Sequence, residues 1–207
     1  MFQVFTKNLL FSTILFISYS LISDEYKAGK HYQILPQTIA TRDAKKIEII
    51  EFFWFGCGHC YSLENQLKSW EEKLPSDIDF WRSPITWNEM AKTHAKLFFA
   101  AEFFKKPEII SNTFVSIHAN RRMMTSDQEL QPFFASFGIT EDQYLSLFNS
   151  FAMQNKIRRA DTFGLKYQIR GVPAFIVNGK YKVSASNDVG TAELLDVVDY
   201  LINLERD

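Results

Sequence analysis

Cysteine is nearly absent: two residues in 207, at positions 57 and 60. Two thiols cannot build a disulfide scaffold, and a bridge between them closes a loop too small to staple a fold. Glycine (8) and proline (6) are also scarce, which excludes collagen-like and linker-like chains. Neither sign of charge dominates. Lys and Arg number 23 against 24 Asp and Glu, a net charge of −1, so bulk charge gives no case for nucleic acid as a partner. No apolar run reaches the roughly 20 residues that a membrane-spanning helix needs. No internal repeat or low-complexity tract interrupts the chain.

Apolar residues are plentiful. They make up 46% of the chain and include 20 phenylalanines, enough for a thick core or an apolar binding surface. The N-terminus reads as an export signal over residues 1–23. Lys7 is the only charge before Asp24, and Leu9 to Ile22 is apolar apart from Ser12, Thr13, Ser18 and Ser20. Cleavage after Ser20 or Ser23 fits the small residues there. With no cysteine in this stretch a lipoprotein anchor is excluded, and an uncleaved N-terminal anchor is the alternative. Export places the two thiols in an oxidising compartment.

Hydrophobic spacing divides the remainder into three parts. In the first, 24–86, a short strand over His31–Leu35 is closed by Pro36. A buried strand follows over Ile47–Phe53, an apolar run broken only by Glu48 and Glu51. Leu63, Leu67, Trp70 and Leu74 form one face of a helix ended by Pro75. Ile78–Arg82 alternates and is expected to be a second central strand. The middle part, 87–168, loses its β-branched runs and takes helical spacing for about five short helices. Ser126 with Glu129 and Thr140 with Gln143 fit capping boxes. In the last part, 169–207, strands over Pro173–Val177 and Tyr181–Val183 flank Asn178-Gly179, a two-residue hairpin signal. A helix over Thr191–Glu205 ends the chain. A βαβ unit joined to a ββα unit predicts an α/β thioredoxin-like fold with an all-helical domain inserted between its discontinuous halves.

The two cysteines sit where this pattern gives them chemistry. Cys57-Gly58-His59-Cys60 follows the apolar strand and opens the first helix. A thiolate at a helix N-terminus faces unpaired backbone N–H groups and the positive end of the dipole, so its pKa falls. Cys57, the first and more exposed, is the expected nucleophile, and Cys60 the resolving thiol. The competing readings are a static disulfide or two inert thiols. His59 can stabilise the Cys57 thiolate through its charge or an N–H; otherwise it is a solvated loop histidine. Cys57, His59 and Cys60 are one ligand short of a structural zinc site, and His31, His94 and His118 are scattered, so no metal is expected. Tyr61 follows Cys60 where covalent haem attachment needs histidine, and no other cofactor is implied. Glu51 is an acid in a buried run, costly unless paired or protonated.

Segments YKAGKHY (26–32), EFFWFGCGHCY (51–61), FGITEDQY (137–144), NSF (149–151) and RGVPAFIVNGKY (170–181) together resemble the DsbA family of bacterial periplasmic thiol–disulfide oxidoreductases. The resemblance spans nearly all of the chain from Tyr26 onward. It implies that oxidised Cys57–Cys60 introduces disulfides into reduced, unfolded exported proteins, that a quinone-linked DsbB-type membrane protein reoxidises the pair, and that the protein is a monomer. It implies that Glu51 lies beneath the disulfide and relays a proton to Cys60. Arg82 falls where the family often places a basic partner; a purely structural ion pair is the alternative. Spacing alone makes Val172-Pro173 trans, whereas the resemblance implies a cis bond, with Pro173 facing the cysteines and Val172 offering its backbone to an extended client. One departure stands out. The commonest family dipeptide between the cysteines is Pro-His; here it is Gly58-His59, associated with disulfide isomerases. A reductase or isomerase is therefore one alternative function, and a chaperone for apolar segments is another.

Overall fold

The structure, a computed structural model, describes residues 26–206; the expected export signal lies outside them. Five strands form one sheet, in the order β1-β5-β4-β2-β3: β1 (Gln33–Ile34), β2 (Ile47–Phe53), β3 (Ile78–Pro84), β4 (Ala174–Val177) and β5 (Tyr181–Ser184). β2 pairs with β3 in parallel and with β4 antiparallel, and β4–β5 and β5–β1 are antiparallel. α1 (Gly58–Glu71) makes the crossover between β2 and β3. Between β3 and β4 come five helices: α2 (Glu89–Phe103), α3 (Glu108–His118), α4 (Asp127–Ala135), α5 (Glu141–Phe148) and α6 (Phe151–Lys166). A 3-10 turn (Thr191–Glu193) leads into α7 (Leu194–Leu204). This is the thioredoxin-like sheet with an inserted helical subdomain that the spacing predicts.

Alternation along β2 sorts its side chains onto two faces. Ile49 packs with Phe175 and Val177 against Leu63 and Leu67 of α1 and the apolar face of α7. Ile50 and Phe52 turn the other way, toward Ala91 of α2, Tyr167, Ala174 and Ile176. Glu51 and Phe53 therefore share the α1 side with Ile49. Phe53 and Phe55 join Cys60 in a third cluster with Phe114, Phe134 and Tyr144 of the helical insertion. Cys60 thus lies at the seam between the sheet and the inserted helices.

Several expectations need correction. β3 is an edge strand, not a central one: among the described residues it pairs with β2 alone. Its residues from Asp79 to Arg82 are only half-buried, and charged residues at 79 and 82 suit an edge. β1 covers two residues rather than five. α1 stops at Glu71, so Leu74 lies outside it and the helix ends well before Pro75. The Val177↔Tyr181 register leaves three residues in the hairpin, not two. Asn178 and Gly179 both have positive φ, as a primed turn requires, and Lys180 is the additional residue. Phe103 and Phe151 are exposed, so not all of the phenylalanines enter the core. Both expected capping boxes form, at Ser126 and Thr140.

Candidate active site

Cys57 is the N-cap of α1. Its backbone is extended (φ −90°, ψ 117°), and its sulfur accepts from the Cys60 backbone N–H at 3.4 Å. The strand-to-helix turn that places it is closed by the Cys57 N–H bonded to the Trp54 carbonyl at 3.0 Å. The hydrogen bond from the Cys60 thiol is the largest influence on the Cys57 sulfur. Together with the backbone N–H groups of Cys60 and His59 and the charge of His59, it outweighs partial burial and brings the thiol from an ordinary 9.0 down to about 6. Cys60, one turn inside, is fully buried. Burial pushes its thiol up, and the bond to Cys57 and the charge of Glu51 push the same way. Both residues are free thiols in the structure, so one helix end presents a half-exposed sulfur that favours the anion beside a buried one that resists it.

The Val172-Pro173 bond is cis, as the resemblance implies and spacing alone does not. The Val172 carbonyl lies 3.3 Å from the Cys57 sulfur and accepts from its thiol. His59 is exposed, and its Nδ1 lies 3.2 Å from the Thr191 hydroxyl. His59 is therefore tied to the turn before α7 rather than free in solvent.

Below the cysteines, Glu51 is completely buried. Parallel register sets it beside Arg82 on β3. Arg82 forks between two carboxylates: Nε donates to Glu51 and the terminal nitrogens to Glu64 of α1. Its guanidinium also lies 4.3 Å over the Phe53 ring. The other Glu51 oxygen, Oε1, has no hydrogen-bond partner among the described residues. Burial outweighs the Arg82 charge and raises Glu51 from 4.5 to about 7.

Three neighbours, Glu64, His118 and His94, are given no part in the site by the sequence. Glu64 lies one helical turn beyond Cys60, so helix spacing was the available signal for it. His118, at the end of α3, bonds the Phe55 carbonyl at 2.7 Å and stacks on Tyr61 at 4.7 Å. His94 packs on Trp54 and Phe55. No local pattern joins these histidines to residues about forty and sixty positions earlier; tertiary packing alone does so.

A match to the DSBA-like thioredoxin domain covers residues 63–195. The thiol:disulfide interchange protein DsbA of Pseudomonas aeruginosa is 35% identical over 185 residues, 89% of this chain and 88% of the relative. The chain belongs to the DsbA-like thioredoxin family. The DsbA of Azotobacter vinelandii is 35% identical over 188 residues, 90% of this chain and 88% of that one. The crystal structure of Pseudomonas aeruginosa DsbA superposes with a TM-score of 0.82 at 34% identity, covering 89% of this chain and 96% of the other. An oxidoreductase DsbA from Xylella fastidiosa gives 0.79 at 25% identity, covering 87% and 98%. With the cysteine pair at 57 and 60, membership makes the protein a thiol:disulfide oxidoreductase.

Proposed function

We propose that the protein is a periplasmic dithiol oxidase that introduces disulfides into exported proteins. The observation that carries this reading is the unlike placement of the two sulfurs. Cys57 is half-exposed at the N-cap of α1 and accepts from the Cys60 N–H, while Cys60 is fully buried one turn inside. This favours the anion on Cys57 and disfavours it on Cys60. In the oxidised protein a client thiolate attacks the Cys57 sulfur of the Cys57–Cys60 bond. The pair of electrons from that bond leaves on Cys60, which takes a proton. Glu51, with its pKa near 7, is the group suited to give it. The client is then joined to Cys57 in a mixed disulfide. A second client thiolate attacks the client's own sulfur, and Cys57 departs as a thiolate. A low pKa makes Cys57 a good leaving group and stabilises the reduced protein, so the disulfide is a stronger oxidant. The client gains a disulfide and the protein keeps two electrons, which a quinone-linked membrane partner of the DsbB type would remove.

Val172 and Pro173 are the client-facing residues in this reading. The Val172 carbonyl beside the reactive sulfur supports an extended client pairing there as an added strand. Cys57→Ser should abolish oxidation of a reduced, unfolded protein. Oxidation as fast as wild type would end the proposal. A reductase or isomerase draws support from Gly58, and equilibration of the Cys57–Cys60 pair with glutathione separates the two: a potential near that of thioredoxin selects the reductase.

A further inference from the structure

The surface beside the cysteines is divided by charge. A cavity of about 620 Å³ opens next to His59 and is lined by Gly171, Val172 and Pro173, the segment that meets Cys57. Arg170 and Lys182 stand in its wall. A second cavity of about 520 Å³ continues it, sharing Gln33, Gln168 and Lys182 and adding Lys166. Among the described residues neither cavity has a single Asp or Glu in its lining, in a chain where acids slightly outnumber bases.

These cations are short of counter-charge. Among the described residues, the ion pairs leave out Lys166, Arg170 and Lys182. Burial lowers Lys182 from its ordinary value, and the charge of Arg170 lowers it further, so the two cations repel each other across the groove. An anion placed between them relieves that repulsion. The position beside the client-facing backbone says which anion can reach it. In the oxidase reading a client joined to Cys57 and paired along Val172 would run its flanking residues past Gly171 and Arg170, which precede Val172 in the same cavity wall. In an extended chain alternate side chains share a face, so a residue two places from the client cysteine is set toward this groove.

We propose that the groove walled by Arg170 and Lys182 is a client subsite that takes an acidic side chain close to the reacting cysteine. The inference rests on the oxidase reading and deepens it by naming a preferred class of client. Groove charges act on capture of the client and leave the sulfur chemistry to Cys57 and Cys60.

The test is single-turnover reduction of the oxidised full-length protein by three dithiol peptides. They are identical except for Asp, Asn or Lys two residues from the first cysteine, with the substitution made on either side. The Asp peptide should react at least about threefold faster than the Asn peptide on one side, and the Lys peptide slower than both. Roughly 1 M salt should erase the difference, since it screens charges beyond about 3 Å. Arg170→Gln with Lys182→Gln should bring the Asp:Asn ratio to one, while Lys105→Gln with Lys106→Gln, two cations lining neither cavity, should leave the ratio intact. Equal rates for Asp and Asn on the wild-type protein, or a ratio that survives Arg170→Gln with Lys182→Gln, overturn the subsite alone. Failure of all three peptides to reduce the protein overturns the oxidase reading, and the subsite with it.

Discussion

Cys60→Ala tests what holds the Cys57 thiolate, because the Cys60 thiol is its largest single support. The wild-type baseline comes first. With a pKa of about 6, Cys57 is about 90% ionised at pH 7, against about 1% for a thiol at 9.0. Lower basicity weakens the nucleophile, by about 20-fold over this interval at a Brønsted slope near 0.45. The net advantage over an ordinary thiol in alkylation by iodoacetamide is therefore only about fourfold at pH 7, but about 40-fold at pH 5. Acid is thus the condition in which to measure. Losing one hydrogen bond to an anion, worth about 1.5 kcal/mol, moves the midpoint up by about one unit, to about 7. At pH 5 that cuts the thiolate about ninefold, and the gain in basicity returns about threefold, so alkylation slows about threefold. Cys60→Ser keeps a donor at the same place and should recover part of the loss. A wild-type midpoint at about 8 or above, or a Cys60→Ala midpoint equal to wild type, would refute the argument that the helix end and its inner thiol create the reactive sulfur.

Glu51→Gln should flatten the pH dependence of stability in the acid range. The folded Glu51 pKa is raised from 4.5 to about 7, so between those values the native state binds more protons than the unfolded state. Stability from this group therefore falls as pH rises, by about 3 kcal/mol in total; urea unfolding of the oxidised protein at pH 4.5 and 7.5 reads it, and an unchanged slope in the variant removes Glu51 from the account. The same substitution should remove a limb with a midpoint near 7 from the pH profile of client oxidation, seen by stopped flow. Gly179→Ala should destabilise by at least about 2 kcal/mol in thermal unfolding, because a left-handed backbone strains any side chain. Gly179 has φ +61°, and a Cβ there would lie 1.9 Å from the Ile39 carbonyl oxygen.

The sequence was most legible where one element carried the whole signal. β2 is an apolar run in a chain of mixed polarity, and Glu51 stands out within it as an acid with nowhere wet to go. Cys57 and Cys60 are informative because there are no others. The capping boxes at Ser126 and Thr140 are local hydrogen-bond pairs, so four residues suffice to read them. Legibility ended where two elements had to be docked. Alternation in β3 has the same period at a sheet edge as at its centre, and only the missing neighbour on one side makes it an edge. Arg82 is expected near Glu51 only through the family resemblance, and the parallel register of β2 and β3 pairs the two. The second carboxylate on Arg82, Glu64, depends on how α1 is rotated over the sheet. His118 and Thr191 reach the cysteine loop from elements far along the chain, where no spacing rule applies. The cis bond before Pro173 came from resemblance, because X–Pro bonds are mostly trans.

Gly58, where the family's common proline is replaced, can be judged from its own geometry. It is the first residue of α1 after the N-cap, the one helical position that favours proline, since no intrahelical bond needs its N–H. The preceding Cys57 already has the extended backbone (ψ 117°) that a following proline demands. A Cβ at Gly58 meets nothing within 4 Å among the described residues. Gly58→Pro should therefore fit without rearrangement and stabilise the protein by about 0.4–1 kcal/mol, through the unfolded chain. Its effect on the sulfur should be smaller. The backbone donors to Cys57 belong to His59 and Cys60, not to residue 58, so proline removes none of them. The Cys57 midpoint is expected to stay within about half a unit of the wild-type value, well under the shift that losing one donor would cause. A fall of a full unit would mean that the glycine lets those donors drift from the sulfur, and that motion of the turn, rather than the static arrangement, sets the oxidising strength of this protein.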